Sequence, residues 1–137
     1  MTLHPVFLHE MLADEVEGVR IRLGGRLKSI RLSGTNVIVE IGSSDWGDTI
    51  RFAGASYDAE PFQVAVITPS GDIAASGQWP KGLYHSDHPI LGRGFICIRG
   101  TYEYHCHPSH VSDAWAAYRN SIRLPQLLDH ILKKVKM

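Results

Sequence analysis

The strand-like segments of this chain come in one series, and its clearest helical segment follows them. Residues 36–41, 49–53 and 62–68 are β-branched or alternate apolar with polar side chains, which is typical of strands. Residues 123–135 instead carry apolar side chains at helical spacing, with lysines in the last turn that oppose the negative end of the helix dipole. Strands that precede helices favour an antiparallel meander over a parallel βαβ sheet, so the predicted class is α+β.

The segments before this series predict how the chain enters the sheet. Residues 5–16 have apolar side chains near helical spacing and predict an N-terminal helix that ends at Gly18. Residues 19–32 alternate and predict a strand, with a hairpin or bulge at Gly24 and Gly25. The chain is therefore expected to begin with a helix and to continue into an antiparallel meander of about four strands.

A long irregular stretch separates the predicted sheet from the predicted C-terminal helices. Residues 73–94 are rich in Gly, Pro, Ser, Asp and His, and long loops in compact domains are usually functional or disordered. Residues 95–98 predict a short extended segment, and residues 112–117 predict a helix. The overall prediction is a single domain over residues 1–137, with its C-terminal helices packed on the sheet.

Length and composition exclude several classes of protein. The chain has 137 residues and equal numbers of basic and acidic side chains, 14 each, so no global basic field attracts nucleic acid or an anionic membrane. A local basic run between Arg20 and Arg31 is interpreted as a solvated face. No segment approaches the roughly 20 apolar residues that span a bilayer, and the first twelve residues lack a signal-peptide pattern, which predicts a cytoplasmic location.

Five of the eight histidines and both cysteines lie between His85 and His110. A cysteine acts as a nucleophile or ligand only as the thiolate, which requires partial exposure and a suitable neighbour. Cys97 is therefore a candidate nucleophile or ligand. The alternative is that Cys97 is a buried, inert side chain in the apolar segment 95–98.

The second half of this stretch predicts a metal site. Cys97, Glu103, His107 and His110 would offer one thiolate, one carboxylate and two imidazoles, a donor set that suits zinc. An extended backbone would instead place His105 and His107 on one face, which gives a competing set with His105 in place of Glu103. A non-heme iron site remains open if Cys97 points away. The alternative to any metal site is a polar, histidine-rich surface loop.

The order of several short motifs resembles the ubiquitin-conjugating enzymes. Tyr57 precedes Pro61 and Phe62 by a short gap, His88-Pro89 follows a turn-rich loop, and Cys97 stands within a Gly-Phe-Ile-Cys-Ile segment ahead of the C-terminal helix. The resemblance covers residues 30–135. It implies a UBC-like fold, an active-site loop held by His88 and Pro89, and a thioester formed on Cys97.

The position after His88-Pro89 departs from that family. Ile90 stands where the family has an asparagine that helps to stabilise the oxyanion when lysine attacks. An oxyanion requires preorganised donors, and isoleucine has none in its side chain. Transfer to lysine by the usual mechanism is therefore not expected.

The chain also resembles bacterial UBC-like or predicted metal-binding proteins that carry a Cys, Glu, His, His signature. Cys97, Glu103, His107 and His110 follow that order. The resemblance implies bound zinc, a ubiquitin-like protein and its activating enzyme as partners, and a role in bacterial ubiquitin-like conjugation and phage defence.

Three functions follow from these patterns. The first is a zinc-bound UBC-like protein of a ubiquitin-like pathway. The second is an enzyme that forms a thioester through Cys97, with His88, His105 or His107 tuning the thiolate. The third is a metal-free adaptor that binds a partner through residues 79–91.

Overall fold

The computed structural model describes residues 4–42, 49–80 and 82–135. Most of their buried apolar side chains form one continuous cluster. In chain order the helices and strands are α1 (Pro5–Leu23), β1 (Ser29–Ser33), β2 (Asn36–Glu40), β3 (Thr49–Ala53), β4 (Gln63–Val66), β5 (Ser86–Asp87), β6 (Gly94–Phe95), α2 (Tyr102–His105) and α3 (Leu124–Lys134). The predicted α+β class is confirmed.

The sheet is an antiparallel meander, as predicted, with the strand order β1-β2-β3-β4. Its inner face is apolar because alternate residues of each strand point to the same side. Val37 pairs with Phe52, and Phe52 pairs in turn with Val64, so one row of side chains crosses the inner face. All three side chains are fully buried.

The first helix is longer than the sequence predicts. It continues past Gly18 to Leu23, and Val19 and Leu23 extend the buried stripe begun by Leu8 and Leu12. The predicted helix end at Gly18 and the predicted strand from residue 19 are therefore wrong. Gly18 serves packing instead, since a Cβ built on it would lie 3.3 Å from Cγ of Pro125 in α3.

The pair Gly24-Gly25 forms neither a hairpin nor a bulge. Gly24–Arg26 is a single 3-10 turn, and Leu27 N–H closes it by donating to the Gly24 carbonyl at 3.3 Å. The turn redirects the chain from α1 into β1. Alternating apolar and polar residues in 19–32 predicted one strand. These residues instead form the end of α1, the 3-10 turn and most of β1.

The predicted C-terminal helix is confirmed as α3, which buries Leu124, Leu127, Leu128 and Ile131. This helix packs mainly against α1, and α1 in turn contacts β1. The predicted packing of C-terminal helices on the sheet is replaced at α3 by packing on α1, whereas the short helix α2 does contact β4. The predicted lysine at position 136 lies outside the described residues.

The region between β4 and α3 is mostly irregular, as predicted, but its short elements differ from the prediction. The predicted extended segment 95–98 contributes only β6, which pairs with β5. The predicted helix at 112–117 is only a 3-10 turn, Trp115–Ala117. Among the described residues no helix is long and apolar enough to cross a bilayer.

A buried aspartate joins the segment after β3 to the segment before α3. Asp58 accepts hydrogen bonds from Arg119 Nη2 at 2.8 Å and from Arg123 Nη1 at 2.7 Å, and its carbonyl accepts from Trp115 Nε1 at 2.9 Å. Burial acts to raise the pKa of Asp58, but the bonds and charges of the two arginines outweigh it and hold this pKa below its usual range. The carboxylate is therefore charged in the fold and anchors both arginines.

Replacing this carboxylate should destabilise the protein more than replacing a surface one. We expect Asp58→Asn to lower the free energy of unfolding by about 2 to 4 kcal/mol, because it leaves Arg119 without an ionic partner and Arg123 with Glu15 alone. Asp129→Asn is the matched control, since among the described side chains Asp129 pairs only with the exposed Arg26 and Lys133. Urea unfolding curves measure both variants, and equal losses would contradict the anchoring role of Asp58.

Candidate functional site

His88 is a buried side chain that shapes the loop between β5 and β6. Its Nδ1 accepts the backbone N–H groups of Ile90 and Leu91, both at 3.1 Å. Nε2 therefore carries the proton, and it donates to the Glu103 carbonyl at 2.9 Å. Because both ring nitrogens are engaged, this histidine holds the loop in place.

Glu103, a predicted metal ligand, has its carboxylate occupied by protein groups. The Val64 N–H donates to Oε1 at 3.0 Å and to Oε2 at 3.3 Å, and Arg93 forms an ion pair with Oε2. Burial raises the pKa of this fully buried carboxyl group, while the Val64 N–H and the Arg93 charge oppose the rise. Glu103 therefore joins α2 to β4 and to the loop that carries Arg93.

Cys97 and His110 form the pair that is best placed for chemistry. Cys97 Sγ lies 3.8 Å from His110 Nε2, within reach of a hydrogen bond to sulfur. The cysteine is half-buried, so its thiol is accessible. The alternative prediction placed Cys97 inside a strand. That placement is wrong, because β6 ends at Phe95 and Cys97 follows it.

Tyr104 fixes the plane of the His110 ring. The two rings stack with centroids 4.1 Å apart and an interplanar angle of 13°. The Tyr104 hydroxyl in turn donates to Asp113 Oδ2 at 2.6 Å, which holds the tyrosine ring in place. Asp113 thereby positions the imidazole beside Cys97 without touching it.

Asp113 is a functional candidate that the sequence did not reveal. Besides Tyr104, the Tyr118 hydroxyl and Arg99 Nε donate to its carboxylate, the latter at 2.9 Å. Hydrogen bonds from the two tyrosines and from Arg99 hold the pKa of Asp113 well below its usual range. Sequence spacing could not single out Asp113, because its partners stand between five and fourteen residues away and meet it only in the folded chain.

His105 belongs to the hydrogen-bonded group around Asp113 and is not available as a metal ligand. The Gly100 N–H donates to its Nε2 at 3.0 Å, and its Nδ1 donates to the Asp113 carbonyl at 2.6 Å. Burial lowers the pKa of His105, so the neutral ring is favoured. With both nitrogens engaged, His105 offers no lone pair to the competing metal set.

His107 lies beside His110, with ring centroids 5.7 Å apart. Its ring stacks on Phe95 at 5.5 Å, and its Nδ1 accepts the Ser109 N–H at 3.0 Å. Partial burial, followed by the charges of His88 and His110, lowers the pKa of His107. The structure thus places His110 beside both Cys97 and His107, and it directs Glu103 elsewhere.

The second cysteine has different surroundings. Cys106 Sγ lies 3.5 Å from His88 Nε2 and 3.8 Å from the Glu103 carbonyl. Burial and the nearby Glu103 charge raise the pKa of this thiol. Cys106 is therefore expected to react more slowly than Cys97.

Cys97 lines an open groove of about 370 Å³ between the segment after β6 and the end of α3. Arg99, Lys133 and Lys134 also line the groove, and the first two are paired with carboxylates, Arg99 with Asp113 and Lys133 with Asp129. The half-buried Cys97 is therefore open to solvent from this groove.

The chemistry of the donors fits zinc at three of the four predicted positions. A thiolate from Cys97 and imidazoles from His107 and His110 are ligands that zinc prefers. Glu103 does not fit, because its oxygens are bound to Arg93 and Val64. In residues 4–42, 49–80 and 82–135, no group of three or more His, Cys, Asp or Glu side chains is arranged to hold a metal ion. The zinc site stays a prediction.

Comparison with known proteins does not assign this chain to a family. No protein-family model matches the chain, and no curated protein matches it at a significant level. The resemblance to ubiquitin-conjugating enzymes therefore stays a prediction.

The two thiols should differ in reactivity. We expect iodoacetamide at neutral pH to alkylate Cys97 at least about tenfold faster than Cys106, because only Cys97 combines partial exposure with an imidazole that can take its proton. Peptide mapping by mass spectrometry measures both rates in the native protein. Cys106→Ala should leave the rate at Cys97 unchanged, and equal rates in the native protein would contradict the assignment.

Proposed function

We propose that this protein is a ubiquitin-conjugating-type acyl carrier that accepts the C-terminus of a ubiquitin-like protein as a thioester on Cys97. The observation that carries the proposal is the 3.8 Å approach of Cys97 Sγ to His110 Nε2. A positioned base next to a partly exposed thiol is the arrangement that nucleophilic catalysis by cysteine requires. Tyr104 stacking keeps that base in place.

The architecture around the thiol supports the same proposal. An N-terminal helix, a four-stranded meander and a loop shaped by His88 precede Cys97, in the order that the resemblance implies. His88 holds this loop by accepting two backbone N–H groups, from Ile90 and Leu91.

The proposed step exchanges one thioester for another. His110 Nε2 accepts the thiol proton of Cys97, and Sγ attacks the carbonyl carbon of the activated C-terminus. The bond from that carbon to its previous sulfur breaks, and the leaving thiolate takes up the proton. No oxidant or further reactant is consumed.

Ile90 limits what the carrier does with its acyl group. Its side chain is 63% exposed and offers no hydrogen-bond donor to an oxyanion. We therefore propose that the protein receives and passes on the acyl group as a thioester, rather than attaching it to lysine as the family does. The partners in this proposal are a ubiquitin-like protein and its activating enzyme, within bacterial conjugation and phage defence.

The proposal predicts an adduct with a simple thioester donor. A synthetic peptide that ends in a Gly-Gly thioester of mercaptoethanesulfonate should acylate Cys97, and dithiothreitol should release the peptide. Intact mass spectrometry measures the adduct over time. We expect His110→Gln to slow its formation by about 10²- to 10⁴-fold, the usual contribution of a proton-transfer group.

Matched variants separate this step from general thiol chemistry. Cys97→Ala should form no adduct, whereas Cys106→Ala should keep the rate. Alanine is a stricter control than serine, because serine could form a stable ester. His9→Gln changes an exposed histidine on α1 and should have no effect. An adduct that survives in Cys97→Ala would refute the proposal.

A second candidate function is a zinc centre, favoured by the position of His107 beside the Cys97–His110 pair. We propose Cys97, His107 and His110 as its three protein ligands, which leaves one tetrahedral position open. Glu103 would join them only by leaving Arg93 and Val64.

Elemental analysis tests the zinc candidate directly. Protein purified without chelator and dialysed against zinc should hold about one ion per chain. Cys97→Ala and His110→Asn should lose the ion, whereas Glu103→Gln should keep it if circular dichroism shows that the variant is folded. Absence of zinc from the unaltered protein would refute this candidate. If the peptide adduct is absent as well, the result would favour the metal-free adaptor.

A further inference from the structure

The outer face of the sheet carries a charged groove that the proposed function does not use. It has a volume of about 580 Å³, which is within the usual range of small-molecule sites. It shares no lining residue with the groove beside Cys97. An activity located here would therefore be independent of the thiol.

Two arginines face this groove across the middle strand. In the strand register Arg31 pairs with Ile38, and Ile38 pairs with Arg51, so all three side chains lie in one row. Strands β1 and β3 are about 10 Å apart, twice the spacing of neighbouring strands, and both guanidinium groups can reach a ligand between them.

Within the part of the chain that the structure describes, the two guanidinium groups are not neutralised. Among the described residues, no acidic side chain forms an ion pair with Arg31 or Arg51, and the buried Arg51 Nε has no hydrogen-bond partner. An unsatisfied buried donor is costly, so it marks a place where an acceptor is favoured. Glu40 also lines the groove, but it is engaged by Lys28 at 3.7 Å and by Ser29 at 3.0 Å.

Neutral groups complete a surface that suits phosphate. Ser33 and Asn36 are paired at one end of the groove and offer a hydroxyl and an amide donor. A phosphate has three strong acceptor oxygens, which two guanidinium forks and nearby neutral donors can satisfy together. Ile38 lies between the arginines and is only 5% exposed, and Ile67 lines the groove on the far side of β3, directly after β4.

We propose that this groove binds a small organic phosphate. Arg31 and Arg51 grip the phosphate group, and the non-polar part of the ligand lies over Ile38 and Ile67. A soluble nucleotide, rather than a nucleic acid strand, fits the limited volume of the groove.

Nuclear magnetic resonance tests this site at the Arg51 guanidinium group, which is predicted to bind. Titration with adenosine diphosphate should shift the Arg51 Nε–H signal saturably, and pyrophosphate should do so more weakly because it lacks the part that covers the apolar floor. Adenosine without phosphate should not shift this signal. Equal affinity for the two phosphates would overturn the role assigned to Ile38 and Ile67.

Charge-matched variants give the second measurement. Calorimetric titration should show that Arg31→Gln and Arg51→Gln each weaken binding of adenosine diphosphate at least about tenfold, since each removes a charge-assisted contact. Arg22→Gln removes an equal charge from α1 and should bind normally, as should Cys97→Ala. Arg31 is exposed, so its variant keeps the test valid if Arg51→Gln does not fold.

Three results would overturn the inference. The first is no saturable binding of adenosine diphosphate. The second is an equal loss of affinity in Arg22→Gln, which would indicate a general charge effect. The third is binding of a single-stranded oligonucleotide without binding of adenosine diphosphate.

Discussion

The buried carboxylate of Glu103 holds together the parts of the molecule that carry the candidate site. It accepts the Val64 N–H of β4 and pairs with Arg93 of the loop before β6, while its own carbonyl accepts from His88. A buried charge is tolerated only with such partners, because losing one leaves an uncompensated ion in a medium of low dielectric. The cost of burying Glu103 is thus offset by contacts that fix α2, and α2 carries Tyr104 and His105.

The histidines of this region divide by whether their ring nitrogens are engaged. His88 and His105 each use both nitrogens in bonds that include backbone groups, and they act as parts of the scaffold. His110 instead directs Nε2 at the Cys97 thiol. His107 lies between these two kinds, with one nitrogen bonded to the Ser109 N–H and its ring stacked on Phe95.

The two faces of the sheet have opposite characters, because one face builds the core and the other carries charged side chains. The inner face carries Phe52 and Val64 into the core that α1 covers. The outer face carries Arg31 and Arg51 on either side of a buried isoleucine. Alternation of side chains along each strand is sufficient to produce both faces, since successive side chains point to opposite sides of the sheet.

The sequence by itself determined the α+β class, the strands at 36–40, 49–53 and 63–66, and the helix α3, because the period of apolar residues depends only on local backbone geometry. It misplaced the end of α1, where packing against Pro125 made a glycine acceptable inside a helix.

The site was predictable only in part. The concentration of histidines and cysteines marked the stretch of chain that contains the Cys97–His110 pair, and both residues were within the predicted set. Only the tertiary structure decided that Glu103 pairs with Arg93, and that Asp113 and Tyr104 support His110. These contacts depend on which side chains from distant positions of the chain meet in the folded protein. The spacing of residues along the sequence does not determine those long-range contacts.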